Sequence, residues 1–206
     1  LLIRKEIIPA NCQYKFCPYE STCCKLSTEV CYTKDSEDID FAIIGMGAGK
    51  KEDIGLTPIN IHRQPFYGLS GNYLRHLIKY IFDQGKQFNF ILSNIVRFHP
   101  IDNLNKDRPP IRAEISRCIH VLIEDLKQYN TKYLIPVGAC ASTYLLNIPE
   151  NTKISYIRGR KYYSSGYSII PTYHPRYLLS NYGFFNSVSP NPFDRIVMND
   201  ILKTIP

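Results

Sequence analysis

Apolar positions along the chain alternate between short dense runs and spaced stripes. The run IDFAII from Ile39 to Ile44 has the length and density of a buried strand. Between Asn72 and Gln84 the apolar residues Tyr73, Leu74, Leu77, Ile78 and Ile81 keep helical spacing. FNFILSNIV, Phe88 to Val96, reads as a second buried strand. Ala113 to Gln128 then gathers Ile115, Cys118, Ile119, Leu122, Ile123 and Leu126 on one helical side. Tyr133 to Val137 is a third strand, and Gly138 turns the chain into a helix through Leu146. Arg158 to Tyr163 and Ser168 to Pro171 read as short strands near a sheet edge, and Pro192 to Thr204 as a closing helix. Strand and helix in alternation predict an α/β fold. Its central, mostly parallel sheet would carry helices on both faces, as a three-layer αβα sandwich.

With 206 residues the chain suits one such domain and leaves little room for two. The expected division is a Cys-rich segment over 1–36 and an α/β core over 37–206. No apolar run reaches the roughly 20 residues that span a bilayer, and no leader of the signal-peptide type is read. An intracellular setting is therefore expected: cytoplasm, nucleoid or a viral replication site. The chain opens on Leu1 and not on Met, which reads as a piece of something longer.

Charge changes the picture first. Twenty-five Lys and Arg against 18 Asp and Glu give a formal charge of +7, which favours a polyanionic partner without proving one. Sixteen Tyr are compatible with base stacking. Cysteine changes it second. Five of seven thiols (Cys12, Cys17, Cys23, Cys24 and Cys31) crowd the first 31 residues, a pattern better suited to a metal or iron–sulfur site than to disulfides. Cys140, in a helix turn, reads as a buried structural thiol.

Candidate chemistry lies mostly where strands end. The strand at 39–44 runs into Gly45-Met46-Gly47-Ala48-Gly49, a glycine-rich turn of the kind that approaches phosphates or bases. Glu52-Asp53 follows, then Pro65-Phe66-Tyr67-Gly68-Leu69-Ser70-Gly71. Later come Asn94-Ile95-Val96-Arg97-Phe98-His99-Pro100, the turn from Val137-Gly138-Ala139 to Leu146, the pair Arg158-Gly159, and Thr172-Tyr173-His174-Pro175. In this order the segments resemble the family 4 uracil-DNA glycosylases, the iron–sulfur branch of the uracil-DNA glycosylase superfamily. That family carries GEAPG, ED, PFVGxAG, NVVKCRPP, LGATAAKALL and TYHP.

The resemblance implies recognition of uracil in DNA by base flipping and hydrolysis of its N-glycosidic bond, the first chemical step of a DNA repair pathway. Phe66 would stack on the base and Asn94 would read its pairing edge. His174 would stabilise the leaving anion, and Gly45, Met46 and Gly47 would line the pocket. Catalysis would rest on His174 and Asn94. Arg108, Pro175 and Arg176, with the loop around Lys106, would meet the DNA backbone. His62 and Arg63, in an insertion over 56–64, would form a loop near the DNA.

Two departures stand out. Met46 occupies the place of the family's catalytic glutamate, and Gly47 that of the asparagine used by other branches. Slow cleavage is therefore expected; the alternative is an inactive DNA-binding module, for example within a larger replication protein or a repair complex. Phe98 stands where the family places a cluster cysteine. Cys12, Cys17 and one of Cys23 or Cys24 would then complete a [4Fe–4S] cluster with Cys118, with zinc as the alternative metal.

Overall fold

The computed structural model describes residues 4–8, 27–49, 52 and 64–205. Seven strands form one sheet: β1 (Arg4–Ile8), β2 (Thr28–Tyr32), β3 (Phe41–Gly47), β4 (Phe90–Val96), β5 (Tyr133–Pro136), β6 (Tyr162–Ser164) and β7 (Tyr167–Ile169). Their spatial order is β1-β2-β4-β3-β5-β7-β6. The inner four, β4-β3-β5-β7, are mutually parallel, and antiparallel pairs close both edges. The expected mostly parallel three-layer architecture is present.

Six helices flank the sheet: α1 (Leu69–Asp83), α2 (Arg112–Gln128), α3 (Ala139–Leu146), α4 (Ile154–Ile157), α5 (Pro175–Tyr182) and α6 (Pro192–Leu202). The pleat of β3 sorts its side chains between two cores. Ala42 and Ile44 pack with Ile115, Cys118, Leu122 and Leu126 of α2. Phe41 and Ile43 pack with Leu74, Leu77 and Ile78 of α1, Leu178 of α5, and Val197 and Ile201 of α6. Buried on both faces, β3 needs a nearly unbroken apolar run, and IDFAII supplies it.

The segment read only as Cys-rich is partly sheet. β2 pairs antiparallel with β4 through Val30↔Ile91, and β1 pairs with β2. Its periodicity was hidden because buried charges break the apolar pattern. The Glu29 carboxylate is fully buried and is held by a fork from Arg75 (3.0 and 2.5 Å) and by Lys5 at 3.1 Å. Burial pushes its pKa up, yet the Arg75 hydrogen bond and charge, with Lys5, outweigh that and leave it below the ordinary value.

A second buried charge joins three elements. Arg97, just past β4, is fully enclosed. It donates to Asp125 of α2 at 2.6 Å and to the Thr28 hydroxyl of β2 at 2.9 Å, and Thr28 donates to the same carboxylate at 2.6 Å. Removing one partner of such a pair strands the other charge away from water, which costs about 3–5 kcal/mol. Asp125→Ala is expected to lose that much in chemical denaturation; a loss below about 1 kcal/mol would show that Arg97 finds solvent.

Candidate active site

β3, β4 and β5 all end on the same edge of the parallel sheet, and the chain leaves β3 toward β4 but returns across it to β5. Carboxyl ends at such a reversal form a crevice. Here the crevice is a recess of about 470 Å³ whose lining includes Gly47, Glu52, Phe66, Asn94, Asp107, His174 and Arg176. A larger groove of about 1090 Å³ lies between α2, α3 and the β6–β7 hairpin. Its walls hold none of the candidate catalytic, uracil-contacting, DNA-contacting or metal-ligating residues, and the smaller recess is the candidate site.

Gly45 makes the meeting of Phe66 and Asn94 possible. A side chain there would run into the Asn94 amide oxygen and sit 3.0 Å from the Phe66 ring. Asn94 is buried within β4, paired across the ladder with Gly45. No described group hydrogen-bonds its carboxamide, so both donor and acceptor remain available to a ligand.

Phe66 is buried with a backbone φ of 56°, a left-handed conformation unfavourable for an aromatic residue. Two features hold it there. Gly71 lets the α1 start press against the Phe66 carbonyl, where any side chain would collide. Glu52 accepts hydrogen bonds from the Gly49 N–H at 2.6 Å and the Tyr67 N–H at 2.7 Å, tying the glycine turn to the Phe66 turn. Burial raises the Glu52 pKa against the lowering effect of these N–H groups.

His174 is placed by β5 and the chain after β7. Thr172 bridges to Val137, and the Gly138 N–H donates to the Thr172 carbonyl at 2.9 Å. Gly138 has φ +87°, and a Cβ on it would lie 3.0 Å from that of His174. From behind, Asp200 of α6 accepts from the Thr172 hydroxyl at 2.8 Å and from Arg158 at 3.0 and 2.5 Å.

The imidazole is also the N-cap of α5. Its Nδ1 accepts the Arg176 N–H at 3.0 Å, which leaves the proton on Nε2. Burial, with the Arg176 charge second, depresses its pKa to about 4. At neutral pH the ring is an uncharged Nε2–H donor.

Other expected positions fall differently. Met46, on the opposite pleat from Gly45, packs partly buried against the α2-side core and is not among the recess lining. Pro175 is buried as the first residue of α5, and Arg176 is exposed at the recess. Arg108 spends its fork on Glu114 at 2.8 and 2.5 Å, and its Nε on the Ile101 carbonyl, fixing the 97–112 loop onto α2. Cys140 is exposed, contrary to the expectation of a buried thiol, because the second residue of α3 faces outward.

Cys118 and Phe98 are both buried in the α2-side core. Among the described residues no group of three or more His, Cys, Asp or Glu is placed to hold a metal. Cys12, Cys17, Cys23, Cys24, Asp53, His62 and Arg63 lie outside the described residues. Two recess carboxylates were not foreseen as site groups. Glu52 gave only a motif match. Asp107, which faces the recess and pairs with His99 at 2.9 Å, gave no signal in an irregular loop.

None of the described helices is long and apolar enough to cross a membrane. The chain is 28% identical over 178 residues to a type-4 uracil-DNA glycosylase of Thermotoga maritima, covering 85% of this chain and 81% of that relative. Residues 34–198, which include every recess residue named above, match the uracil DNA glycosylase superfamily. The chain belongs to that superfamily.

Proposed function

We propose that the protein binds uracil in DNA and hydrolyses its N-glycosidic bond, slowly. The observation that carries this reading is a neutral His174, its Nδ1 already occupied, in one recess with Phe66 and Asn94. A flipped uracil would stack on Phe66 and pair its O4 and N3–H with the Asn94 amide. Cytosine would leave that buried amide mispaired, which supplies selectivity. As the bond from C1′ to N1 lengthens, charge gathers on the base and His174 Nε2–H donates to O2. Water then adds to C1′, with its proton passing to solvent or base. Glu52 and Asp107 would face the cationic sugar with negative charge, and Arg176 and Pro175 would meet the flanking phosphates.

Slowness follows from Met46, which cannot orient or deprotonate water. General-base help is worth about 10²- to 10⁴-fold. Met46 also favours a second reading, a binding module without cleavage, serving other domains or subunits of a replication or repair complex.

We further propose a [4Fe–4S] cluster, with zinc as the alternative. The described residues offer it one donor, Cys118; the others would be Cys12, Cys17 and Cys23 or Cys24. The group would be structural, and no catalytic step passes through it.

Two outcomes are expected. Single-turnover assays on a uracil oligonucleotide should give slow cleavage above the level of His174→Ala. Met46→Glu should leave the rate unchanged, because the pleat of β3 turns position 46 toward the α2-side core and away from the recess. A gain of about tenfold or more would show that a carboxylate there reaches the attacking water. Wild type at the His174→Ala background would establish the binding module instead.

Stability should also depend on His174. Its folded pKa of about 4 lies below the ordinary 6.5, so protonation favours unfolding. Stability from this group is complete above pH 6.5 and lost as pH falls toward 4. The melting temperature of wild type should therefore drop more steeply across that window than that of His174→Gln. Parallel curves would refute the neutral imidazole.

Protein purified without oxygen should contain iron and absorb broadly in the visible, and Cys118→Ala should lose iron. Zinc in place of iron would support the alternative, and a metal-free protein would exclude both.

A further inference from the structure

The last quarter of the chain has a surface unlike the rest. Residues 151–206 include Lys153, Arg158, Arg160, Lys161, Arg176, Arg195 and Lys203 but only two acids, Asp194 and Asp200. Both acids are buried and engaged: Asp194 by the Tyr73 hydroxyl and the Asn191 N–H, Asp200 by Arg158 and Thr172. The described part of this stretch therefore shows solvent positive charge and no exposed carboxylate.

Its aromatic residues are equally distinctive. Among the described residues, every exposed Tyr or Phe lies between 156 and 184. Four rings adjoin in one cluster across α5 and α6. Tyr173 stacks on Tyr177 with centroids 5.4 Å apart, Tyr182 stacks on Phe193 at 4.8 Å, and Tyr177 meets Phe193 edge-on at 6.0 Å. Tyr177 and Tyr182 are 44% and 42% exposed, and Phe184, just beyond α5, is 75% exposed. Core packing does not require those open faces.

The cluster also adjoins the recess. Tyr173 and Tyr177 flank His174 in sequence, and Leu179 and Ser180 of the same helix line the recess wall. Arg176 of the same helix lines the recess, and the Arg158 guanidinium lies over Tyr173 at 5.8 Å.

We propose that Tyr177, Tyr182 and the exposed Phe184 form a stacking platform for unpaired bases of the DNA strand next to the flipped uracil. The platform makes single-stranded DNA the preferred substrate. This deepens the function proposed above and rests on DNA being the ligand. The chemistry selects the partner. Open aromatic faces bind any base through its π-face, whereas bases paired within a duplex stay stacked on one another and present only edges and phosphates. Positive charge without exposed carboxylates suits the phosphates between those bases.

The test uses single-stranded and duplex oligonucleotides of thymine and adenine that lack uracil, read by fluorescence anisotropy. Tyr177→Ala with Tyr182→Ala should weaken single-strand binding about fivefold or more, since one lost base stack is worth that much. Duplex binding should change less than about twofold, and the salt dependence of single-strand binding should keep its slope. Tyr177→Phe and Tyr182→Phe should restore affinity, because the ring and not the hydroxyl carries the stack. The chain has no Trp, so Tyr182→Trp provides a single reporter that a thymine strand should quench on binding. That readout stands even if the double variant folds poorly.

Equal losses on both DNAs, or an unquenched Trp at saturating oligonucleotide, would overturn the platform. Since none of these strands contains uracil, the result is independent of whether the recess reads that base. A platform confirmed here could coexist with a failed cleavage assay, and the reverse.

Discussion

The site depends on one missing side chain. At position 45 the backbone of β3 is bare, and into that gap come the amide of Asn94 and the ring of Phe66. One methyl group would separate them. Neighbouring devices serve the same meeting: Gly71 clears space for the Phe66 carbonyl, and Glu52 ties the two turns together. A strained φ at Phe66 persists because these elements hold it from both sides. The recess is thus built by exclusion as much as by attraction, which keeps an aromatic face and an unpaired amide open to a flat ligand.

His174 shows a different economy. One hydrogen bond from the Arg176 N–H caps a helix and also fixes which ring nitrogen carries the proton. The helix start needs an acceptor at that place, so the tautomer suited to donation into the recess is selected by the needs of α5. Partial burial, with the Arg176 charge beside it, then keeps the ring neutral. The residue read from the sequence as a donor to the leaving anion thus also serves as the cap of a helix.

Much of this was legible in the chain itself. The parallel strands were visible because a strand covered on both faces must be almost wholly apolar, and α1, α2 and α6 because their stripes repeat at helical spacing. The recess residues Phe66, Asn94 and His174 were found by motif order, and the structure brings them together. What stayed hidden has physical reasons. β2 contains Glu29, whose charge is neutralised by Arg75, a residue 46 positions away. No local pattern reports a partner at that range. Asp107 reaches the recess from an irregular loop, where no periodicity exists to read. Met46 was assigned by alignment to the pocket, but the pleat turns its side chain toward the opposite core. The exposed rings of α5 were not separable from ordinary aromatics until their solvent faces were known.

The Asp200 network carries a consequence for how the protein comes into being. Thr172, two residues before His174, is anchored by a carboxylate on α6, the last helix of the fold. Arg158 leans on the same group. During synthesis the glycine turn, the Asn94 strand and the His174 segment all leave the ribosome before Asp200 does. Until α6 emerges and docks, the His174 segment has no rear support and Arg158 lacks its counter-charge. A nascent chain thus holds all its recess residues while their geometry remains unset, and competence arrives only with the final helical turns.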